Sequence, residues 1–375
     1  MAPKKIMKSL ILALFAIFLV HFANASSSAG QHEGKSEEKE FDVNGMIMHH
    51  IKDAHEWHLW GPEHGGTSIY LPIILIDGGL KTFSSSHFYH GSIVLVKDHK
   101  TGLDVEFIAG SGPAEGYGLF HEKIYKLNEG TLSIEDGHVH GNIKVLDFSI
   151  TKNVLSLFFG AIFILIIMSS VARFYKKNGA VAPKGLAKFL EPLIVMVRDD
   201  VAKSNIGEHK YKKYVPYLLT IFFFIFFNNL LGLVPILPGG ANLTGNISIT
   251  LFLAICTLVV TLASSNKNYW KHIFATPGVP VALLPIMIPI ELVGILTKPF
   301  ALMIRLFANM TAGHIIVLAL VSIIFINKNA AWGALSVPMA LFISVLELLV
   351  AFLQAYLFAM LSALFIGGAV EESHH

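Results

Sequence analysis

The sequence predicts a mainly α-helical polytopic membrane protein of about five membrane-embedded helices, with an interfacial amphipathic helix and a small β-containing domain on its N-terminal side. Three observations carry that prediction. Only 14% of the 375 residues are charged, against about 25% in soluble domains, and mean hydropathy is +0.61. The charge is segregated: residues 26–148 hold nine lysines against eighteen Asp and Glu, whereas residues 149–375 hold sixteen Lys and Arg against eight. The second part is a succession of long uncharged runs with basic edges, which argues against an ordinary soluble enzyme. No basic stripe with interleaved aromatics is present, so nucleic acid is not an expected partner. Cys256 is the single cysteine, which excludes an intrachain disulfide framework.

Residues 1–25 read as a signal peptide. Lys4, Lys5 and Lys8 precede an apolar stretch from Leu10 to Val20, and Ala23-Asn24-Ala25 supplies a small-residue cleavage site. The apolar stretch spans only about 17 Å of a core roughly 30 Å thick, too short for an anchor. Residues 26–148 then form an extracytoplasmic acidic domain, beginning with a polar lead-in, Ser26 to Glu40. Ser68 to Ile76 reads as strand, and Ser92–Val96 with Leu103–Ile108 flank a turn from Asp98 to Gly102 as a hairpin. Twelve of the eighteen histidines fall here, and His49, His50, His55 and His58 are weak candidates for a metal site. A solvated hydrophilic helix with incidental histidines is the favoured reading, since no spacing matches a zinc signature.

Residues 149–372 read as the membrane domain. Val154 to Val171 is uncharged and is followed by Arg173, Lys176 and Lys177, which places its C-terminal end on the cytoplasmic side. Pro183 to Lys203 has apolar residues at spacings of three and four (Leu186, Phe189, Leu190, Ile194, Val197), the pattern of an interfacial amphipathic helix. Tyr214 to Pro235 crosses outward, Leu237 to Gly240 turns the chain, and Ile247 to Ala263 returns. Val281 to Ile326 would measure about 69 Å as one helix, so either the series Pro280, Pro285, Pro289 and Pro299 breaks it or it lies strongly tilted. Trp332 to Val370 runs back, leaving the C-terminus on the cytoplasmic side.

Ionisable groups inside the last two runs are the chemical signal, because a charge at membrane depth faces a partner or a water-filled path. Glu291, Lys298 and Arg305 are spaced by seven and share one helix face, whereas His314 lies about 900° beyond Arg305, on the opposite face. Glu347 and Gln354 are again seven apart. The pattern offers an arginine to one neighbour and a His–Glu polar path elsewhere. Lys298 has the simpler alternative of snorkelling to the interface, and Glu291 that of pairing with Lys298.

The stretch KPFALMIRLFANMTAGHI, Lys298 to Ile315, closely resembles subunit a of the F-type ATP synthase, and LELLVAFLQAYLF, Leu346 to Phe358, resembles that family's last helix. NNLLGLVP with Asn229, and ANLTGNISITLFLA with Asn242 and Asn246, add polar positions that line a channel in such proteins. The extended acidic N-terminus is similar to that of some Bacteroidota-type bacteria. The resemblance implies a long tilted helical hairpin against an oligomeric c-ring, with Arg305 facing the ring and Gln354 and Asn309 close to it. It also implies that His314 and Glu347 lie by the outer half-channel, in the arrangement of mitochondrial versions, and that Glu291 lies by the inner one. Asn229, Asn242, Asn246 and Lys298 are possible channel lining. The implied partners are the c-ring, the b subunits of the peripheral stalk, the rest of the synthase and the lipid bilayer. The implied location is a bacterial inner membrane, with the N-terminal domain periplasmic. No cofactor is expected beyond the transported ion, most simply H⁺. No G-x-x-x-x-G-K-[ST] loop is present, so nucleotide chemistry would belong to partner subunits. A secondary transporter, or a sensor acting through the N-terminal domain, are the alternatives; neither explains Arg305, Asn309, His314, Glu347 and Gln354 together.

Overall fold

The computed structural model describes residues 47, 51–60, 67–179, 181–234, 240–274 and 283–371. The signal peptide, the polar lead-in, His49, His50 and most of the Leu237–Gly240 turn lie outside these residues. The chain is a mainly helical membrane protein with a β-rich N-terminal region. Strands β1 (Glu56–Trp60) and β2 (Thr67–Tyr70) form an antiparallel pair. β3 (Pro72–Ile76) and β4 (Leu80–Ser84) make a sheet completed by β11 (Leu146–Asp147). β5 (Ser92–Lys97), β6 (Asp104–Ala109), β7 (Tyr117–Phe120) and β8 (Lys123–Lys126) form a meander. β9 (Ile134–Glu135) and β10 (His138–Val139) pair separately.

The expected hairpin is present, with Lys97 opposite Asp104. Asp98 organises its turn by accepting from the backbone N–H groups of Lys100 and Thr101, while its other oxygen accepts from Gly137 N–H. The expected strand from Ser68 to Ile76 is divided at Leu71, whose N–H donates to the buried Ser85 hydroxyl. The solvated histidine helix is a correction. From Glu56 the chain is a strand, because Glu56–Trp60 pairs antiparallel with Thr67–Tyr70, with a register shift between His58 and Trp60. His55, just before it, is 2% exposed rather than solvated.

Helix α1 (Lys152–Asn178) starts where Thr151 caps Val154 N–H, and ends with Lys176 and Lys177 against its C-terminal carbonyls. Helix α2 (Leu186–Met196) buries Ala187 and Leu190 and continues through a π-helical stretch, Val197–Lys203. Leu186 and Phe189, expected on the apolar face, are exposed. Helix α3 (Tyr211–Leu233) is the most enclosed span, and its Phe222, Phe223 and Ile225 are wholly buried. Helices α4 (Ile247–Ser264) and α5 (Lys267–Phe274) follow.

Helix α6 (Leu284–Ile326) is one continuous helix of 43 residues. At 1.5 Å per residue it is about 65 Å long, twice the hydrocarbon thickness. Pro285 falls at its first turn, where no donor is lost, and Pro289 and Pro299 are accommodated within it. The sequence left breakage and continuity open; the helix is continuous. Helix α7 (Gly333–Val370) returns along it, and the turn is tied by Asn329, which accepts from Ala331 N–H, and by the Ser336 hydroxyl, which donates to the Leu320 carbonyl. Among the described residues five helices, α1, α3, α4, α6 and α7, are long and apolar enough to cross a membrane.

Candidate functional site

The α6–α7 hairpin sorts its polar groups onto two faces. Leu302, Leu306 and Met310 recur every fourth residue and are buried. That orientation leaves Arg305 exposed, together with Ala301, Ala308, Asn309 and Ala312. Among the described residues Arg305 has no hydrogen bond or ion pair. The guanidinium therefore stands in a shallow stripe of alanines, where a neighbouring helix can approach closely.

His314 points the other way. Its Nδ1 is 3.0 Å from Glu347 Oε1 on α7, with the side chains 18% and 7% exposed. Gly313 makes this possible, since a Cβ at that position would collide with the Glu347 carboxylate. Gln354, two turns further along α7, is buried, and no hydrogen bond joins it to Arg305 among the described residues. The hairpin brings His314 and Glu347 together and separates both from the arginine face.

The asparagines brace the neighbouring helices. Asn229 Oδ1 accepts the Thr244 hydroxyl at 2.6 Å, both residues being buried. Asn242 Oδ1 accepts from Gly245 N–H, and its amide donates to the Met310 carbonyl of α6. Asn246 caps α4 by accepting from Ser248 N–H, and its amide approaches Asp53 at 3.5 Å. Toward the other end of α6, Lys298 lies 5.7 Å from the Phe365 ring centroid and lines a small cleft with Thr257, Thr261 and Tyr269. Glu291 is half-buried near Tyr269; burial, and then the Glu291 charge, push the Tyr269 phenol up.

A cavity of about 380 Å³ lies at the His314–Glu347 pair. Val317, Leu318 and Ser344 form its hairpin wall, Gly232 and Leu233 its α3 wall. Its remaining wall comes from the β-rich region: Glu56, Trp57, His58 and Leu59, with Lys152 of α1. Sequence reasoning singled out His58 only as a weak metal candidate and did not find Glu56, Lys152 or Ser344. The two polar residues Glu56 and His58 set among Trp57, Leu59 and Trp60 were the available signal.

His55 is engaged elsewhere. Its Nε2 is 2.9 Å from Asp147 Oδ2, and its Nδ1 is 3.9 Å from Glu122 Oε2. Burial alone would lower its pKa, but the Asp147 hydrogen bond and the charges of Asp147 and Glu122 outweigh this and hold it up to about 9. Asp53 accepts from Asn153 N–H and the Thr151 hydroxyl, so it clamps the start of α1. Burial raises its pKa. Among the described residues no three His, Cys, Asp or Glu side chains gather as a metal site.

The ATP synthase A chain family model matches residues 154–367, and a domain of unknown function (DUF8433) matches residues 46–148. ATP synthase subunit a 2 of Chlorobaculum tepidum is 51% identical over 258 residues, covering 66% of this chain and 72% of the relative. ATP synthase subunit a of Chloroherpeton thalassium is 48% identical over 235 residues, covering 61% and 69%. That of Myxococcus xanthus is 46% identical over 237 residues, covering 61% and 76%.

Proposed function

We propose a function from one premise: this chain belongs to the ATP synthase A chain family. Its task is that of the proton-translocating stator in the membrane sector, set against an oligomeric c-ring and held by the b subunits of the peripheral stalk. The observation that carries this reading is the division of the hairpin, with Arg305 on the open alanine face and the His314–Glu347 pair turned to a cavity behind it.

The chemistry follows from the residue types. Guanidinium does not deprotonate in proteins, so Arg305 is a fixed positive charge. A ring carboxylate arriving opposite it is drawn into its ionised form and releases its proton. The same charge blocks direct proton transfer between two offset half-channels, so a proton must ride the ring almost full circle. The outer half-channel ends at His314 and Glu347, an imidazole and a carboxylate between which a proton can pass. The inner one passes Glu291 and the cleft at Lys298. Asn309 and Gln354 shape the surroundings of the arginine, while Asn229, Asn242 and Asn246 hold the helices around the path. The chain forms no covalent intermediate, and nucleotide chemistry belongs to partner subunits.

The basic residues support an orientation. Arg173, Lys176 and Lys177 lie in the last turns of α1, Lys210, Lys212 and Lys213 flank the start of α3, and Lys267 and Lys271 follow α4. By the positive-inside rule these ends are cytoplasmic, the β-rich region is periplasmic and the C-terminus cytoplasmic in a bacterial inner membrane. Residues 1–25 are the export signal in this reading. The test is ATP-driven proton pumping by the assembled complex in inverted vesicles. Arg305→Ala abolishes coupled pumping, and Gln354→Ala only weakens it. Normal pumping by an assembled Arg305→Ala complex defeats the reading.

A further inference from the structure

The β-rich N-terminal region contributes side chains to the same cavity as His314 and Glu347. Glu56 is 4% exposed, and His58 stands two residues along the same strand. Both have side chains that take up and release protons. The region is also fastened to the membrane helices around that cavity. Asp53 receives hydrogen bonds from Thr151 and Asn153 at the start of α1, and Lys152 N–H donates to the Ala54 carbonyl at 2.9 Å. A cavity of this volume has room for several waters, and Glu56, His58, Lys152, Ser344, His314 and Glu347 supply polar partners for them.

We infer that the N-terminal region is a working part of the proton path, with Glu56 and His58 forming an intake stage that relays protons across this cavity to His314 and Glu347. This rests on the stator reading above. The relay is conservative: a proton bound at His58 or Glu56 passes through hydrogen-bonded water to the imidazole or carboxylate of the inner pair. The donor is reprotonated from the solvent side. Trp57 and Leu59 also line the cavity wall.

Passive proton flow through the membrane sector, measured in vesicles from which the catalytic head has been stripped, is the direct readout. The Glu56→Gln/His58→Gln double variant is expected to lower the flow about tenfold with subunit composition unchanged, and Glu56→Asp to retain at least half of it. Because Cys256 is the single native cysteine, a Cys256→Ser background isolates a His58→Cys variant. A charged, membrane-impermeant thiol reagent applied to its β-region side is expected to block conduction there and not in the parent. Wild-type flow in an assembled double variant overturns the inference, as does complete modification at position 58 with no loss of conduction. Arg305→Ala, assayed for coupled pumping in the same preparations, separates the two readings. If it abolishes pumping while the intake variants are silent, only the intake falls; if it leaves pumping normal, the stator reading itself falls.

Discussion

Gly313 has no side chain at the point where the Glu347 carboxylate meets His314, and this absence is what the pair requires. A methyl group there would occupy the carboxylate's position. Alanine is otherwise the better helix former by about 1 kcal/mol. Gly313→Ala is therefore expected to leave α6 helical and the complex assembled while displacing Glu347 from its 3.0 Å contact. Proton pumping should fall several-fold at unchanged ATP hydrolysis by the detached catalytic head. Pumping at the parental rate, with the complex intact, would show that the close approach is dispensable. The residue scale was also where the sequence was most legible. Seven-residue spacing placed Arg305 with Lys298, and the 900° to His314 turned it to the other side. The turn to His314 holds because α6 is unbroken from Leu284 to Ile326, with His314 on Glu347 and Arg305 exposed.

Elements were legible in proportion to their length. Uncharged runs of eighteen residues or more announce membrane helices, since a bilayer core demands that length. The continuity of α6 through Pro289 and Pro299 was not readable, because the cost of a lost backbone bond depends on neighbours that re-satisfy it. Strand β1 was missed for the opposite reason: five residues with polar alternate positions carry a weak period, and its partner β2 supplies the pairing. The packing of α7 against the turn Ser204–Ile206, which follows the π-helical stretch, was equally invisible. Gly367 sits where a Cβ would strike the Asn205 carbonyl oxygen, a backbone atom with little freedom to retreat, whereas a Cβ at Gly368 meets nothing within 4 Å. Gly367→Ala should lower the thermal stability of the purified complex, by an overpacking cost of roughly 1–3 kcal/mol. Gly368→Ala should match or exceed the parent, through helix propensity alone. Equal melting of the two variants would refute the distinction.

At the scale of the whole molecule, the contact between the β-rich region and the helices was beyond the sequence. Composition separated an acidic part from an apolar one, but no local pattern states that Glu56 and Glu347 share a cavity wall. What seats the region is a small set of ionisable groups beside α1: half-buried Asp53 on the helix start, and buried His55 between Asp147 and Glu122. The titration of His55 gives this seating a pH signature. Its folded pKa of about 9 lies above the ordinary 6.5, so its stabilisation is complete below about pH 6.5 and is lost as pH rises through 9. The difference corresponds to roughly 3 kcal/mol. Asp147 acts at the opposite end. Burial opposes its charge, but His55 and Ser149 hold its pKa below 3.8, so its contribution is lost only in acid. Resistance of the N-terminal region to proteolysis in the full complex should therefore decline between pH 7 and 10. His55→Gln should reduce resistance at pH 7 and flatten that decline. A parental profile identical to that of His55→Gln would mean that the imidazolium does not hold the region in place. The intake path across the cavity would then need a different source of rigidity.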